Sequence, residues 1–299
     1  MHVILQTIVP VFAIIAIGAI LGLFKDLDAK TLSEITLYVL TPFLVFTSLI
    51  ESKIVLQRLV TTTAFAACIF IGMAVLSFGV AYFLKFSPTE KSSFVLSTTL
   101  MNSGNLGLPL IYFAFGSEGL AIAVIFLVCF VIVLNTFGIF VAAGGHLPAS
   151  QALAEVFRLP ALYAIGLAFL LRGTHTALPA ILYKPIQMIG HAAIPTILLI
   201  LGIQLTHANL KDKIPRISLA VFIRLIVSPL LAIAIFALLP ADNLTRRVLI
   251  IQSSGPTAVN AIILATKYDI HPEFAGSVIL VSTVLSVFSL SVLLALFGG

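Results

Sequence analysis

Two stretches of otherwise apolar sequence hold amide side chains together with glycine and proline. The first covers residues 97–109 and the second covers residues 252–260. The amides are Asn102, Asn105, Gln252 and Asn260, and the glycines and prolines beside them are Gly107, Pro109, Gly255 and Pro256. Carboxamides donate and accept hydrogen bonds without carrying charge. We therefore expect these four amides to bind the carboxylate of a small organic anion.

The glycines and prolines predict that both helices break at these stretches. Proline removes a backbone donor and clashes with the preceding turn, and glycine lowers helical stability further. At membrane depth, broken backbone is tolerated only where protein or a water-filled cavity satisfies it. Two such breaks would direct half-helix N-termini, the positive ends of their dipoles, toward an anion. The alternative is that both helices are only kinked at proline, and that the Asn and Gln side chains hydrogen-bond neighbouring helices to each other.

Arg224 and His191 are the candidates for anion attraction or for coupling to an ion. Arg224 is the one charged residue near the middle of an apolar span, where a charge costs about 2.5–3.5 kcal/mol on insertion scales. Its partner could be an organic anion, backbone carbonyls or lipid phosphate. His191 lies four residues before Pro195, where a histidine either relays protons or packs through a hydrogen bond.

Metals, cofactors and coupling sodium are not expected. Every Asp and Glu lies near the end of a span or outside it, and hard cations prefer carboxylate and carbonyl oxygens. Cys68 and Cys129 lie far apart in apolar spans without metal-ligand spacing. We therefore expect transport to run on a proton gradient, on the membrane potential or by exchange.

The composition indicates that the elements holding these residues are membrane helices. The chain has 299 residues, of which 61% are hydrophobic and 9% are charged, whereas soluble domains carry about 25% charged residues. A water-soluble enzyme is therefore excluded. The 16 Lys and Arg residues are scattered rather than clustered on a stripe, so no nucleic-acid partner is expected. The lipid bilayer is the expected surrounding.

Hydropathy predicts an all-α integral membrane protein with ten transmembrane helices. The spans are 3–23, 30–50, 59–84, 90–115, 118–143, 157–173, 180–205, 214–239, 245–268 and 274–297. Each is about long enough to cross a bilayer. The paired interruptions described above fall in spans 4 and 9, which we expect to be the broken, crossed helices.

The two halves of the chain resemble each other. Residues 13–18 echo residues 161–166, Pro42 corresponds to Pro195, and Pro109 corresponds to Pro256. We interpret residues 1–143 and 157–299 as two five-helix repeats joined by a short linker, 144–156. An odd number of spans inverts the second copy in the membrane, as in many secondary transporters.

The distribution of Lys and Arg predicts the orientation in the plasma membrane. Nine lie in the loops that follow odd-numbered spans and six lie in the loops that follow even-numbered spans. The nine are Lys25, Lys30, Lys85, Lys91, Arg158, Lys211, Lys213, Arg216 and Lys267. Positive charge favours the cytoplasm. The linker 144–156 is therefore expected to be cytoplasmic and both termini external.

Five short motifs resemble the auxin efflux carrier family, which comprises PIN-type carriers and bacterial relatives labelled malonate or malate transporters. Residues 265–273, ATKYDIHPE, are similar to the family's A-x-x-Y-x-x-H-P-D/E passage. Four others follow the family's order: Pro42 with Leu44 and Phe46, Asn102 with Gly107 and Pro109, Arg224 with Ser228 and Pro229, and Gln252 with Pro256. Together they extend across the whole chain.

The resemblance implies a fold and a mechanism. Helices 1, 2, 6 and 7 would form a scaffold domain that mediates a homodimer, and helices 3–5 and 8–10 would form a transport domain. Helices 4 and 9 would break and cross near Pro109 and Pro256, where the substrate carboxylate binds. Movement would be elevator-like. The linker lacks the long cytoplasmic loop of plant carriers, which favours a prokaryotic-type carrier over one for auxin itself.

A secondary transporter of small organic anions is therefore the leading interpretation, with malonate, malate or auxin-like acids as candidate substrates. A sodium-coupled symporter of the bile-acid type is the alternative, because it also uses crossed broken helices. A channel is less favoured, since paired broken helices indicate alternating access. An enzyme is not expected, because the chain lacks H-E-x-x-H, G-x-S-x-G and paired intramembrane aspartates.

Overall fold

The computed structural model describes residues 2–25, 27–52, 56–145, 157–206 and 214–298. Regular structure within these ranges is helical apart from one isolated β-bridge. The predicted linker lies outside the described residues from position 146 to position 156. In the first half, the helices are α1 His2–Phe24, α2 Ala29–Ile35, α3 Thr41–Glu51, α4 Leu56–Phe83, α5 Pro88–Thr99, α6 Leu108–Val133 and α7 Ile139–Ala142.

The second half contains α8 Pro160–Gly173, α9 Ala180–Thr206, α10 Ile214–Phe222, α11 Ser228–Ile235, α12 Asn243–Ser253, α13 Asn260–Lys267 and α14 Pro272–Phe297. Four π-helical turns join successive helices across the chain: Thr36–Leu40, Ser103–Gly107, Leu134–Gly138 and Ile223–Val227. A π turn widens the helix by one residue and often occurs at functional sites. Two of these turns hold Asn105 and Arg224.

Seven helical segments of the described chain are long and apolar enough to cross a membrane: Leu5–Phe24, Ala29–Glu51, Leu56–Phe83, Ser103–Ala142, Ala180–Thr206, Ile214–Ile235 and Pro272–Phe297. The sequence predicts ten spans, and the difference has identifiable causes. Helix α8 has only 14 residues. The breaks leave α5, α12 and α13 with 12, 11 and 8 residues. The molecule is thus a multi-pass membrane protein with several short helices.

The segment Ser103–Ala142 covers the end of predicted span 4 and all but the last residue of predicted span 5. It has 40 residues and would be about 60 Å long if straight, twice the hydrocarbon thickness. Gly116 interrupts it with φ 66° and ψ −158°. Only glycine adopts such a conformation without strain, so the helix direction changes at the boundary between the two predicted spans.

Helices α1, α3, α8 and α9 pack on one another. Two glycines bring α1 and α9 to backbone contact. A Cβ atom on Gly202 would lie 2.0 Å from the carbonyl oxygen of Ile15, and one on Gly18 would lie 2.2 Å from that of Leu199. Helix α9 also contacts α3 at Gly190, and α3 contacts α8. These four helices form one packed group.

Helices α4–α7 and α10–α14 form a second group, whereas α2 packs on α9 of the first. Helix α4 packs against α5, α6 and α11, α6 packs against α12, and α14 packs against α5, α10 and α13. Aromatic rings fill the space between α4, α6 and the segment after α11: Phe65 stacks on Phe236 with centroids 4.6 Å apart, and Phe70 stacks on Phe126 at 5.7 Å. The second group contains both helix breaks.

Local sequence signals fix the helix starts near the breaks. Ser87 and Glu90 form a capping box at the start of α5, where Pro88 occupies the first turn. Asp242 caps α12 by accepting a hydrogen bond from the backbone N–H of Thr245 at 3.1 Å. Both helices of the site therefore begin with a strong N-cap and end at a break.

Candidate functional site

The first break separates α5 from the π turn at Ser103. Helix α5 ends at Thr99, and Leu100 is extended. Asn102 then caps the π turn, with its Oδ1 accepting a hydrogen bond from the N–H of Asn105 at 3.1 Å. Pro109 lies in the first turn of α6. The break therefore precedes Pro109 by about two helical turns. The sequence predicts a break closer to that proline.

The second break lies between α12 and α13. Helix α12 ends at Ser253 and α13 begins at Asn260. Gly255 and Pro256 both lie within the six intervening residues, where the sequence predicts an interruption. Proline has no amide hydrogen to continue the helix. This property explains the position of the second break, which contains Pro256, better than that of the first, which lies well before Pro109.

The two breaks hydrogen-bond to each other through their backbones. The N–H of Asn102 donates to the carbonyl oxygen of Pro256 at 2.8 Å, and the N–H of Ala258 donates to that of Leu100 at 2.9 Å. Met101 and Thr257 form an isolated antiparallel bridge between these bonds. Each unwound segment thus satisfies backbone groups that the other leaves free, as the apolar surroundings require. We call residues 97–107 and 252–260 together the junction.

Gln252 joins the junction from the last turn of α12. Its Nε2 donates to the carbonyl oxygen of Ser103 at 2.8 Å. A Cβ atom on Gly107 would lie 2.6 Å from Oε1 of Gln252. Gly107 is therefore needed for space rather than for an unusual backbone conformation, because a side chain there would displace this amide. In the second break, a Cβ atom on Gly255 would contact the carbonyl oxygen of Asn102 at 3.6 Å.

Two threonines that the sequence did not single out also hold the junction. Thr257 donates from Oγ1 to the carbonyl oxygen of Ser97 at 2.7 Å, and its N–H donates to Oγ of Ser282 at 3.1 Å. Thr98 donates to Oγ of Ser77 at 2.7 Å. Thr257 lies beside Pro256, and Thr98 lies just before the first break. In the sequence, the only signal for their role is that both belong to unusually polar stretches.

Five buried polar atoms of the junction have no hydrogen-bond partner within the described residues. They are Nδ2 of Asn102, Oε1 of Gln252, and the hydroxyl oxygens of Ser97, Thr99 and Ser103. Buried polar atoms nearly always have a partner, and leaving one without costs about 1–3 kcal/mol. Donors and acceptors from both broken helices therefore converge with unused hydrogen-bonding capacity.

Arg224 lies against the junction and is fully buried. Its Nη1 donates to the carbonyl oxygen of Thr98 at 2.9 Å, and its Nε donates to that of Gly255 at 3.1 Å. Its Nη2 donates to the carbonyl oxygen of Ser253 and to Oγ of Ser228. The sequence analysis left an organic anion, backbone carbonyls and lipid phosphate as possible partners of Arg224. In the structure, this guanidinium binds backbone carbonyls.

The other residues singled out by sequence lie at the edge of the junction or outside it. Asn105 and Asn260 are half-buried, each near the start of the helical segment that follows a break. His191 is exposed on α9, in the first packed group, and none of the junction's hydrogen bonds described above involves it. The structure thus brings Asn102, Gln252 and Arg224 together and leaves His191 aside.

These features define a polytopic membrane protein whose interior holds two interrupted, paired helices. The sequence profile of the membrane transport protein family matches residues 3–151 and 146–294. The chain belongs to this family, which is the auxin efflux carrier family that its motifs resemble.

Two archaeal relatives are similar over nearly the whole chain. One, an uncharacterized transporter of Methanothermobacter thermautotrophicus, is 29% identical over 297 residues, which cover 95% of each chain. The other, an uncharacterized transporter of Methanocaldococcus jannaschii, is 27% identical over 275 residues, which cover 89% of each chain. The family and both relatives identify a membrane transporter.

Proposed function

We propose that this protein is a secondary transporter of small organic anions, with carboxylates such as malonate, malate or auxin-like acids as candidate substrates. The observation that carries the proposal is the pair of unpartnered amide atoms, Nδ2 of Asn102 and Oε1 of Gln252, buried where the two breaks meet. The amide of Asn102 can donate to a carboxylate, and Gln252 can do so if its carboxamide turns over. Asn105 and Asn260 are the second choices.

The dipoles of the broken helices support binding of an anion beside Asn102. The π turn at Ser103 and helix α13 start at the breaks, and helix N-termini carry positive partial charge. The negative ends of α5 and α12 face Arg224 through the carbonyls of Thr98 and Ser253. A neutral polar site at helix N-termini can bind a carboxylate group without a buried lysine.

We further propose ten membrane segments arranged as two inverted five-helix repeats, 1–143 and 157–299. The change of direction at Gly116 supports counting Ser103–Ala142 as parts of two segments. The apolar helix α8 supports a sixth segment, and α12 with α13 supports a ninth. The family profile matches the chain in two ranges, 3–151 and 146–294, which nearly coincide with the proposed repeats.

The two packed groups of helices support an elevator-type mechanism. The first group corresponds to a scaffold of segments 1, 2, 6 and 7, and the second corresponds to a transport domain of segments 3–5 and 8–10. Tyr183 and Gln187 bind Glu51 within the first group, whereas Arg58 binds Asp242 within the second. These side-chain bonds stay intact if the groups slide past each other. The scaffold is also the proposed homodimer surface.

A counterflow screen in proteoliposomes tests the function and its substrate. The panel contains malonate, malate, other dicarboxylates, monocarboxylates and indole-3-acetate, each with and without a sodium gradient. Saturable exchange of at least one carboxylate without sodium is expected. Strict sodium dependence would favour a sodium-coupled symporter, and conductance without saturation would favour a channel.

Amide variants test the binding site once a substrate is found. Asn102→Ala and Gln252→Ala should each weaken binding about ten- to a hundredfold, because a hydrogen bond to a charged group contributes about 1.5–3 kcal/mol. Asn135→Ala is the matched control: this half-buried amide bonds the carbonyl oxygen of Val131 within its own helix. If all three variants fold and bind substrate like the parent, the junction is not the binding site.

A further inference from the structure

The guanidinium of Arg224 is surrounded by oxygen atoms. Three are the backbone carbonyl oxygens of Thr98, Ser253 and Gly255, and the fourth is Oγ of Ser228. Ser228 also donates to the carbonyl oxygen of Ser253 at 3.0 Å. The π turn Ile223–Val227 contains Arg224, and the side chain is fully buried.

The positive charge of Arg224 is balanced by backbone dipoles rather than by a carboxylate. None of the four hydrogen-bond partners above is acidic. Thr98 and Ser253 belong to the last turns of α5 and α12, whose carbonyls carry the negative ends of two helix dipoles. Gly255 contributes a carbonyl from the unwound segment of the second break. Two helix C-termini and a break therefore converge on one cation.

Backbone carbonyls and hydroxyls are the oxygen ligands that bind hard cations elsewhere in proteins, including ions inside membranes. A set of four such oxygens without a carboxylate suits a single positive charge. Arg224 enters this set from the π turn between α10 and α11, outside the two broken helices that supply the carbonyls. Its side chain thus acts as a tethered ion that holds the ends of two broken helices together.

We propose that the carbonyls of Thr98, Ser253 and Gly255 and the hydroxyl of Ser228 form a monovalent-cation site whose permanent occupant is Arg224. Removing the side chain exposes this site, and a small cation from solution then binds there and restores the junction. The inference concerns the fold and does not rest on the proposed substrate or on transport. It also gives a reason for expecting sodium-independent function, since the cation is covalently part of the chain.

Ion rescue of Arg224→Ala tests the site without any transport measurement. The thermal unfolding midpoint of the purified variant in detergent is followed against millimolar guanidinium chloride, well below denaturing concentrations. We expect a lower midpoint than the parent's and a saturable rise with guanidinium, because an ion that binds only the folded state stabilises it. Tetramethylammonium chloride at equal ionic strength, whose cation has no N–H donor, should have no such effect.

Arg172→Ala is the matched control. Nη1 of Arg172 also donates to a backbone carbonyl near a helix end, that of Leu49 at 3.0 Å, but the residue is half-buried. Water can replace its guanidinium, so guanidinium chloride should not raise the midpoint of this variant or of the parent. An equal rise in Arg172→Ala, or no ion-specific rise in Arg224→Ala, would overturn the proposal.

Longer substitutions keep the test decisive if Arg224→Ala does not fold. Arg224→Lys retains a positive charge and three donors, whereas Arg224→Met retains an unbranched side chain without charge. A cation site predicts a clearly higher unfolding midpoint for the lysine variant. Equal midpoints, or a more stable methionine variant, would mean that only packing volume matters, and the cation site would be rejected.

Discussion

At the scale of single residues, the junction depends on the space and the polar groups around Gln252. Its Nε2 bonds the carbonyl oxygen of Ser103, its Oε1 is unpartnered, and Gly107 leaves room for the whole carboxamide. Asn102 contributes an N-cap bond through Oδ1 and an unpartnered Nδ2. A change of one small residue here should therefore act through its effect on a neighbouring amide.

Gly107→Ala should destabilise the protein through Gln252. The new Cβ would lie 2.6 Å from Oε1, so the carboxamide must leave the carbonyl oxygen of Ser103. Displacing a buried hydrogen-bonded amide costs about 1–3 kcal/mol, more than the helix gains from replacing glycine. The measurement is a double-mutant cycle of thermal unfolding with Gln252→Ala, in which the alanine at 107 should cost less once Gln252 is absent.

Gly79→Ala, where a Cβ meets nothing within 4 Å, is the control. Strict additivity would contradict the predicted clash.

Asp242 makes the stability of the second helix group depend on pH. Partial burial raises the pKa of its carboxyl, but hydrogen bonds from Thr245 and the charge of Arg58 outweigh that effect and hold this pKa below its usual range. A carboxyl with a depressed folded pKa adds stability that is complete above its unfolded pKa of about 3.9 and is lost as pH falls through the folded value. Asn at 242 keeps the helix cap without this linkage.

Asp242→Asn should therefore lose less stability than the parent between neutral pH and pH 3. The measurement is the thermal unfolding midpoint of both proteins across this range in the same detergent. The variant should start lower at neutral pH, because it lacks the ion pair with Arg58, in which Nε lies 3.1 Å from Oδ2. Identical pH profiles would show that Asp242 has no depressed pKa.

At the scale of helices, each broken element is completed by the other. Helices α5 and α12 begin with strong caps and end where no residue continues their hydrogen-bond ladder. The unwound segments then pair at Met101 and Thr257. Such pairing is the usual way for extended chain to satisfy its backbone, here confined to a single residue pair between helices.

A disulfide between positions 101 and 257 should form readily. Residues opposite each other in an antiparallel pair have Cα atoms about 4.5–5.5 Å apart, within the range of about 4.4–6.8 Å that disulfides require. Met101→Cys with Thr257→Cys, in a chain whose Cys68 and Cys129 are replaced by alanine, should crosslink under mild oxidation. Mass spectrometry of the denatured protein detects the bond. Met101→Cys with Ile263→Cys is the control, because Ile263 is exposed on α13. Crosslinking in the control alone would reject the pairing of the breaks.

At the scale of the whole molecule, the division into two packed groups of helices is the most prominent feature. Backbone contact at Gly18 and Gly202 ties α1 to α9 in the first group. Stacked phenylalanines and Arg224 tie together the second. Large apolar side chains such as Phe24 and Leu238 remain exposed around both, as expected where lipid surrounds the protein.

The orientation proposed from the charge distribution can be read at two exposed loop positions. Thr176 lies between α8 and α9, and Lys25 directly follows α1. In chains without native cysteine, an impermeant maleimide added to intact cells should label Thr176→Cys and leave Lys25→Cys unlabelled, because positive charge favours the cytoplasm. Both should react after lysis. The reverse labelling pattern would place the termini in the cytoplasm.

The sequence by itself determined that lipid surrounds the protein and where the second break lies. Its 61% hydrophobic and 9% charged composition requires lipid, whatever the fold. Gly255 and Pro256 mark the second break because proline cannot donate the next helical hydrogen bond. The amides of Asn102 and Gln252 stand out because polar residues are rare in such sequences. These signals are local in the chain, and local propensity is readable without a fold.

Only the tertiary structure decided where the first break begins and what Arg224 binds. Helix α5 stops at Thr99 rather than near Pro109 because the unwound backbone at Leu100 and Asn102 finds its partners at Ala258 and Pro256. The partners of Arg224 likewise come from Thr98, Ser253 and Gly255, far away in sequence. Burial also separates Asn102 from Asn105 and leaves His191 exposed. Each of these outcomes depends on contacts between distant parts of the chain, which the spacing of residues along one helix does not specify.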